Sequence, residues 1–224
     1  AINSTDANGT VAIGYNAGLS ITSGLYNTAV GYAAFDSATE LDKNTAIGYN
    51  ALTSMSGSAG ETLNTGVGYR AGAAVTTGTH NTILGSQSGY TINTGGYNTI
   101  LGAETAISLA DGSYNSIIGR RAGYSLGSTA LYSVQTGTGN IGIGQAAGYK
   151  MTGGGGVFIG YEAGYWIASA DTVMVGYSAG KYLVGTANVM MGYYAGVGAS
   201  TTAANNTGTN NTGIGHYALR QMSK

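Results

Sequence analysis

The stretch Asn27-Thr28-Ala29-Val30-Gly31-Tyr32-Ala33-Ala34 returns as Asn44-Thr45-Ala46-Ile47-Gly48-Tyr49-Asn50-Ala51, and again as Asn64-Thr65-Gly66-Val67-Gly68-Tyr69-Arg70-Ala71. Following its glycine along the chain gives twelve pivots: Gly14, Gly31, Gly48, Gly68, Gly85, Gly102, Gly119, Gly144, Gly160, Gly176, Gly192 and Gly215. The steps in numbering between successive pivots are 17, 17, 20, 17, 17, 17, 25, 16, 16, 16 and 23. A fixed period this short marks a stacked repeat architecture. It moves the search for function from a single pocket to a long surface.

With the pivot as position 0, position −1 is aliphatic or methionine in every copy, from Ile13 to Ile214. Position +3 is alanine except at Ser88 and Thr105, position −4 is asparagine in nine copies, and position +1 is tyrosine in seven. A coil of this length is too short for two packed helices. It suffices for one turn of a parallel β-solenoid, made of two short strands and two tight corners. β-Branched residues before the pivot favour a strand. Clusters such as Thr22-Ser23-Gly24 and Asn93-Thr94-Gly95-Gly96 favour the corners. Coils stacked about 4.8 Å apart would give a rod roughly 55–60 Å long. Stacked asparagines can bond to one another as Asn ladders do.

Composition excludes the other readings of so much glycine. Glycine contributes 41 of 224 residues, yet proline is absent, so collagen is excluded. Apolar residues make up 43% of the chain and hold fixed places in the repeat, which argues against disorder. Charged residues make up only 8%, the net charge is −1, and no basic patch points to nucleic acid. No apolar run is long enough to span a membrane. No cysteine is present, so no disulfide staples the chain. Ala1-Ile2-Asn3-Ser4 reads as a mature or excised start.

Side chains in a strand alternate faces. If position −1 faces the coil interior, position −2 faces outward. Position −2 is small at first and bulky in the middle, with Ile83, Ile100, Ile117, Phe158, Met174 and Met190. On this reading those six residues form an exposed apolar stripe, which soluble monomers rarely tolerate, and they are the expected oligomer interface. A charge at Ile117 should then weaken association, and one at Ile118 should unfold the rod. Residues 1–224 form one repeat domain, with corner insertions near 56–60, 126–138 and 197–210, and such insertions often lie on a binding face.

The copies at Asn27–Ala34 and Asn44–Ala51 resemble the YadA-like head repeat of trimeric autotransporter adhesins and the related β-roll repeats of phage tail fibres. The resemblance extends from about Thr10 to Leu219. It implies a left-handed parallel β-roll of about 12 coils, three of which pack as a homotrimer. It also implies attachment to a host surface protein or glycan, and an extracellular, cell-surface or virion location. The coils, with most pivots 16 or 17 positions apart, are longer than the family's usual turn.

Chemistry is sparse. His80 and His216 lie far apart, and no carboxylate pair recurs at a spacing suited to acid–base work. Asp36, Glu40 and Asp42 share a corner that could hold a cation weakly, although solvation explains them as well. No enzyme, cofactor or metal site is expected. Tyr15, Tyr32, Tyr49 and Tyr69 would stack as an aromatic ladder, either offering faces to a sugar or simply covering the strands. Two alternatives stand beside the adhesive fibre. The first and last coils are ordinary repeats, so end-to-end stacking into a filament is one. The file Thr28, Thr45, Thr65, Thr82, Thr99 suggests an ice-binding solenoid as the other.

Overall fold

A computed structural model describes residues 8–57, 60–124, 137–151, 153–166, 171–198 and 207–220, and the structural statements below concern these. The strands are β1 (Val11–Ile13), β2 (Thr28–Val30), β3 (Leu41–Asp42), β4 (Thr45–Ile47), β5 (Gly60–Glu61), β6 (Thr65–Val67), β7 (Thr82–Leu84), β8 (Thr99–Leu101), β9 (Ser116–Ile118), β10 (Ile141–Ile143), β11 (Val157–Ile159), β12 (Val173–Val175), β13 (Val189–Met191) and β14 (Thr212–Ile214). All except β3 and β5 precede a pivot glycine. Those twelve form one parallel sheet in sequence order. Like positions stand opposite like, as in Ile83, Ile100 and Ile117 across β7, β8 and β9. The chain is an all-β parallel solenoid, with no helix among the described residues.

The expected second strand of each coil forms only where β3 pairs with β5, in the two coils flanking residues 56–60. Elsewhere the far side is built of turns. Its backbone twists into the left-handed region at position +2, where Asn16, Ala33, Asn50 and Arg70 have φ between 48° and 56°. It does so again at +4, as in Phe35 (52°), Leu52 (48°) and Gly72 (59°). Two such reversals within three residues leave no room for an extended segment. The turns still bond from coil to coil: Gly18 N–H donates to Ala34 C=O at 2.9 Å, and Gly72 N–H to Ser88 C=O at 2.9 Å. The insertions near 126–138 and 197–210 lie largely outside the described residues.

The interior reverses the expected assignment of faces. Ile83, Ile100, Ile117, Phe158, Met174 and Met190 are 0–1% exposed within the single chain, so they form the coil core and are not an interface. Position −1 points outward, with Ile13 61%, Leu84 42% and Ile214 69% exposed. The asparagines decide the parity, because positions −4 and −2 share a face. Asn98 is buried with a fully used amide. Its Oδ1 accepts from the Asn115 backbone N–H (3.0 Å) and Nδ2 (3.0 Å), and its Nδ2 donates to Asn81 Oδ1 (3.0 Å) and Gly112 C=O (2.9 Å). A polar side chain can sit inside when every bond is made, and this one carries position −2 inward with it.

The varied size of position −2 follows from its neighbour at +4. Small residues at −2 face large ones at +4, as Ala29 with Phe35 and Ala46 with Leu52, all buried. Large residues at −2 face glycine at +4: a Cβ on Gly123 would lie 3.1 Å from Ile117, and one on Gly180 would overlap Met174 Sδ. Where both positions are small, the adjacent coils fill the gap: a Cβ on Gly66 would lie 2.7 Å from Leu52, and one on Gly148 would lie 3.1 Å from Phe158. Buried files at +3 (Ala34, Ala51, Ala122) and +7 (Ile21, Met55, Val75, Ile92, Leu109) complete the core.

The pivot glycines serve close approach. Gly68 has a φ of 133°, and a Cβ there would sit 2.5 Å from the carbonyl oxygen of Gly85 in the next coil. Only glycine suits both conditions.

The asparagine ladder has one defect. Gly156 and Thr172 occupy consecutive −4 positions, and Thr172 Oγ1 is buried without a hydrogen-bond partner. Thr172→Asn would present an acceptor to Asn188. We expect it to raise stability by about 1 kcal/mol, read as a higher denaturant midpoint. A lower midpoint would contradict the ladder's assigned role.

Candidate functional site

The outward face of the twelve-stranded sheet carries three files of side chains. Position −1 is aliphatic or methionine in all twelve strands, and it is exposed at Ile47, Leu84, Leu101, Ile143, Ile159 and Met191 and half-buried at Val30, Val67, Ile118 and Val175. Position −3 is threonine from Thr28 to Thr99, serine at Ser116 and aliphatic from Ile141 to Val189, with Thr82 and Thr99 exposed and Val11 47% exposed. Position +1 carries the tyrosines. The face runs about 55 Å along the coils and about 13 Å across, roughly 700 Å², from the strand spacing and rise. Its apolar share, which excludes the threonine file, is comparable to the roughly 300–600 Å² of the largest patch on a single soluble chain, and such patches are often functional.

Tyr15, Tyr32, Tyr49 and Tyr69 stack with centroids 5.3, 5.1 and 5.4 Å apart and planes within 19°. All four are exposed. Both ring faces of Tyr32 and Tyr49 are covered by their neighbours, so the ladder shows solvent its edges and hydroxyls. Where position +1 loses its aromatic residue, at Ser86, Ala103, Arg120 and Gln145, other files take over. His80, Tyr97 and Tyr114 stack at 4.5 and 5.0 Å on the neighbouring corner. Tyr124, Tyr149 and Tyr165 stack at 5.4 and 4.6 Å at position +5. Desolvation by burial pushes the Tyr149 and Tyr165 hydroxyls above the ordinary tyrosine range. Tyr161, Tyr177, Tyr193 and His216 then resume the +1 file at 4.8, 5.3 and 5.2 Å.

The few charges are also arranged from coil to coil. Lys43 pairs with Glu61, Arg121 Nε meets Glu104 at 2.5 Å, and Lys181 Nζ meets Glu162 at 2.5 Å. Such partly exposed pairs contribute little to stability, about 0–1 kcal/mol each. The acidic corner does not converge on a cation. Asp36 accepts from Thr53 Oγ1 at 2.6 Å, while Asp42 accepts from the Leu25 N–H at 2.7 Å. Among the described residues no three His, Cys, Asp or Glu side chains gather as a metal site, and no helix is long and apolar enough to cross a membrane.

No protein-family model, curated protein or solved structure matches the chain.

Proposed function

We propose that the chain is a rigid segment of an adhesive fibre, in which copies pack side by side through the outward sheet face. The wording of the repeat resembles that of trimeric adhesin heads and tail fibres, which favours three copies and a place outside the cell or on a virion. The observation that carries the proposal is the unbroken file from Ile13 to Ile214 on a sheet face that the described residues leave uncovered. Its area, about 700 Å², is close to the roughly 800 Å² that each partner contributes to a standard interface. Attachment to a host surface protein or glycan falls to the corners, since the apolar face is consumed by assembly.

Leu101→Asp introduces a charge at an exposed position on the outward face. It should leave the strand content intact and reduce the particle mass to that of one chain. An unchanged mass would overturn the use of this face. Electron micrographs test the fibre reading itself. Short rods of uniform length support it, and filaments that lengthen with concentration indicate end-to-end stacking instead. A second reading rests on the exposed threonines Thr82 and Thr99 and their half-buried neighbours Thr28, Thr45 and Thr65, regularly spaced like an ice-binding array. Thermal hysteresis in dilute solution would favour that reading over the adhesive one.

A further inference from the structure

We propose that Tyr97 and Tyr114 form an oxidative modification site, at which a bond between their rings staples two neighbouring coils. The reaction is one-electron oxidation of both phenols by hydrogen peroxide on a haem peroxidase, followed by coupling of the rings. The pair lies on a corner, away from the outward sheet face, so it remains accessible whether or not copies assemble there.

Both tyrosines occupy position −5 of successive coils. Their backbones take left-handed φ values of 58° and 60° and are tied from coil to coil. Tyr97 N–H donates to Thr79 C=O at 2.9 Å, and Tyr114 N–H donates to Gly96 C=O at 3.0 Å. The rings stack with centroids 5.0 Å apart and planes within 5°, and both side chains are exposed. The two ends of this file differ. His80 covers the far face of Tyr97 at 4.5 Å. Past Tyr114 the same position is Gly139, where a Cβ would meet nothing within 4 Å among the described residues. Tyr97 is thus held between two rings, while Tyr114 has room to tilt.

Coupling needs both conditions. The linked rings must meet at their edges, which a stack hemmed in on both sides resists. Proximity replaces a diffusive meeting of two radicals by a step within one chain. Other stacks lack one condition or the other. Tyr149 is buried, and the +1 tyrosines lie on the assembly face. No cysteine competes for the oxidant, and the single tryptophan, Trp166, has Lys150 Nζ 3.6 Å from its ring centre.

The step balances. Each phenol gives up one electron and its hydroxyl proton, and the peroxide takes these up and leaves as water. A bond forms between one ring carbon of each residue, next to the hydroxyl. Each of these carbons then releases its hydrogen as a proton, and each phenolic oxygen regains one. The product is lighter by a pair of hydrogens. It closes a loop between residues 17 positions apart, which constrains the unfolded chain as a disulfide does.

The test treats the full chain with hydrogen peroxide and a haem peroxidase. The single-chain band is isolated under denaturing conditions and cut with trypsin and a glutamate-specific protease. Cleavage after Arg70, Glu104 and Arg120 separates the two tyrosines. Mass spectrometry should find residues 71–104 joined to residues 105–120. The yield should fall about tenfold or more when the chain is denatured before oxidation, because proximity is then lost. Tyr97→Phe keeps the stacked ring and should remove the joined peptide. Tyr90→Phe, at the other tyrosine of residues 71–104, should leave it. The linked chain should show a higher denaturant midpoint than the parent. No joined peptide from the folded parent, an equal yield from the denatured chain, or its survival in Tyr97→Phe would overturn the site. An unchanged midpoint would overturn the staple.

Discussion

Ile117→Asp should unfold the middle of the rod. The side chain is fully buried and stacks between Ile100 and the Gly142 backbone in the continuous core file. Truncating a buried isoleucine already costs about 2–5 kcal/mol. A carboxylate placed there has no partner and must remain protonated or draw in water, which adds several kcal/mol more. The total rivals the roughly 5–15 kcal/mol that holds a typical domain together. In a stacked repeat each coil contacts only its neighbours, so a failure at this coil splits the solenoid. Circular dichroism should show loss of strand signal and of the cooperative melt. Ile118→Asp, one residue on and half-buried on the outward face, should keep both. A cooperative parent-like melt for Ile117→Asp, with only particle mass reduced, would restore the opposite assignment of faces.

Gly68→Ala is the second large effect. The substitution forces alanine to a φ of 133°, a region closed to side chains, and sets its methyl 2.5 Å from the Gly85 carbonyl oxygen. Backbone strain of this kind costs about 1–3 kcal/mol, and overlap in a packed site about as much again. The coils cannot relax apart, because the flanking register is fixed by Gly66 opposite Ile83 and Val67 opposite Leu84. We expect a loss of roughly 3 kcal/mol or more, seen as a lower denaturant midpoint. Gly139→Ala is the control. Its φ is 73°, and a Cβ there meets nothing within 4 Å. It should therefore lose only the left-handed cost of about 1–2 kcal/mol. Equal losses at the two sites would remove close approach from the explanation.

These two experiments turn on a distinction that the sequence makes only in part. The period, the strand before each pivot and the parallel stacking follow directly from the spacing of the glycines. The faces do not follow from position −1 alone, because positions −1 and −2 are both apolar and either could be inside. The signal lay in two other files. Tyrosine at +1 belongs with −1, and asparagine at −4 belongs with −2. A buried asparagine is unfavourable for a lone side chain, yet natural where Asn81, Asn98 and Asn115 satisfy one another. The exchange of volume between −2 and +4 was equally present, in pairs such as Ala29 with Phe35 and Ile117 with Gly123. It emerges only once those positions are known to share an interior. The left-handed corners at Ala33, Phe35 and Arg70 had no composition signal, since none of the three is glycine or asparagine.

The surface was partly legible. The tyrosines stack as the repeat implies, but stacking hides the ring faces that a sugar would use.

Assembly through the outward face is tested most directly by the mass of the unaltered chain in solution, measured by light scattering. A particle of several chains is expected, three by the resemblance, each of 22.4 kDa. A single 22.4 kDa particle at micromolar concentration would contradict assembly, because the outward apolar face would then stand in water uncovered.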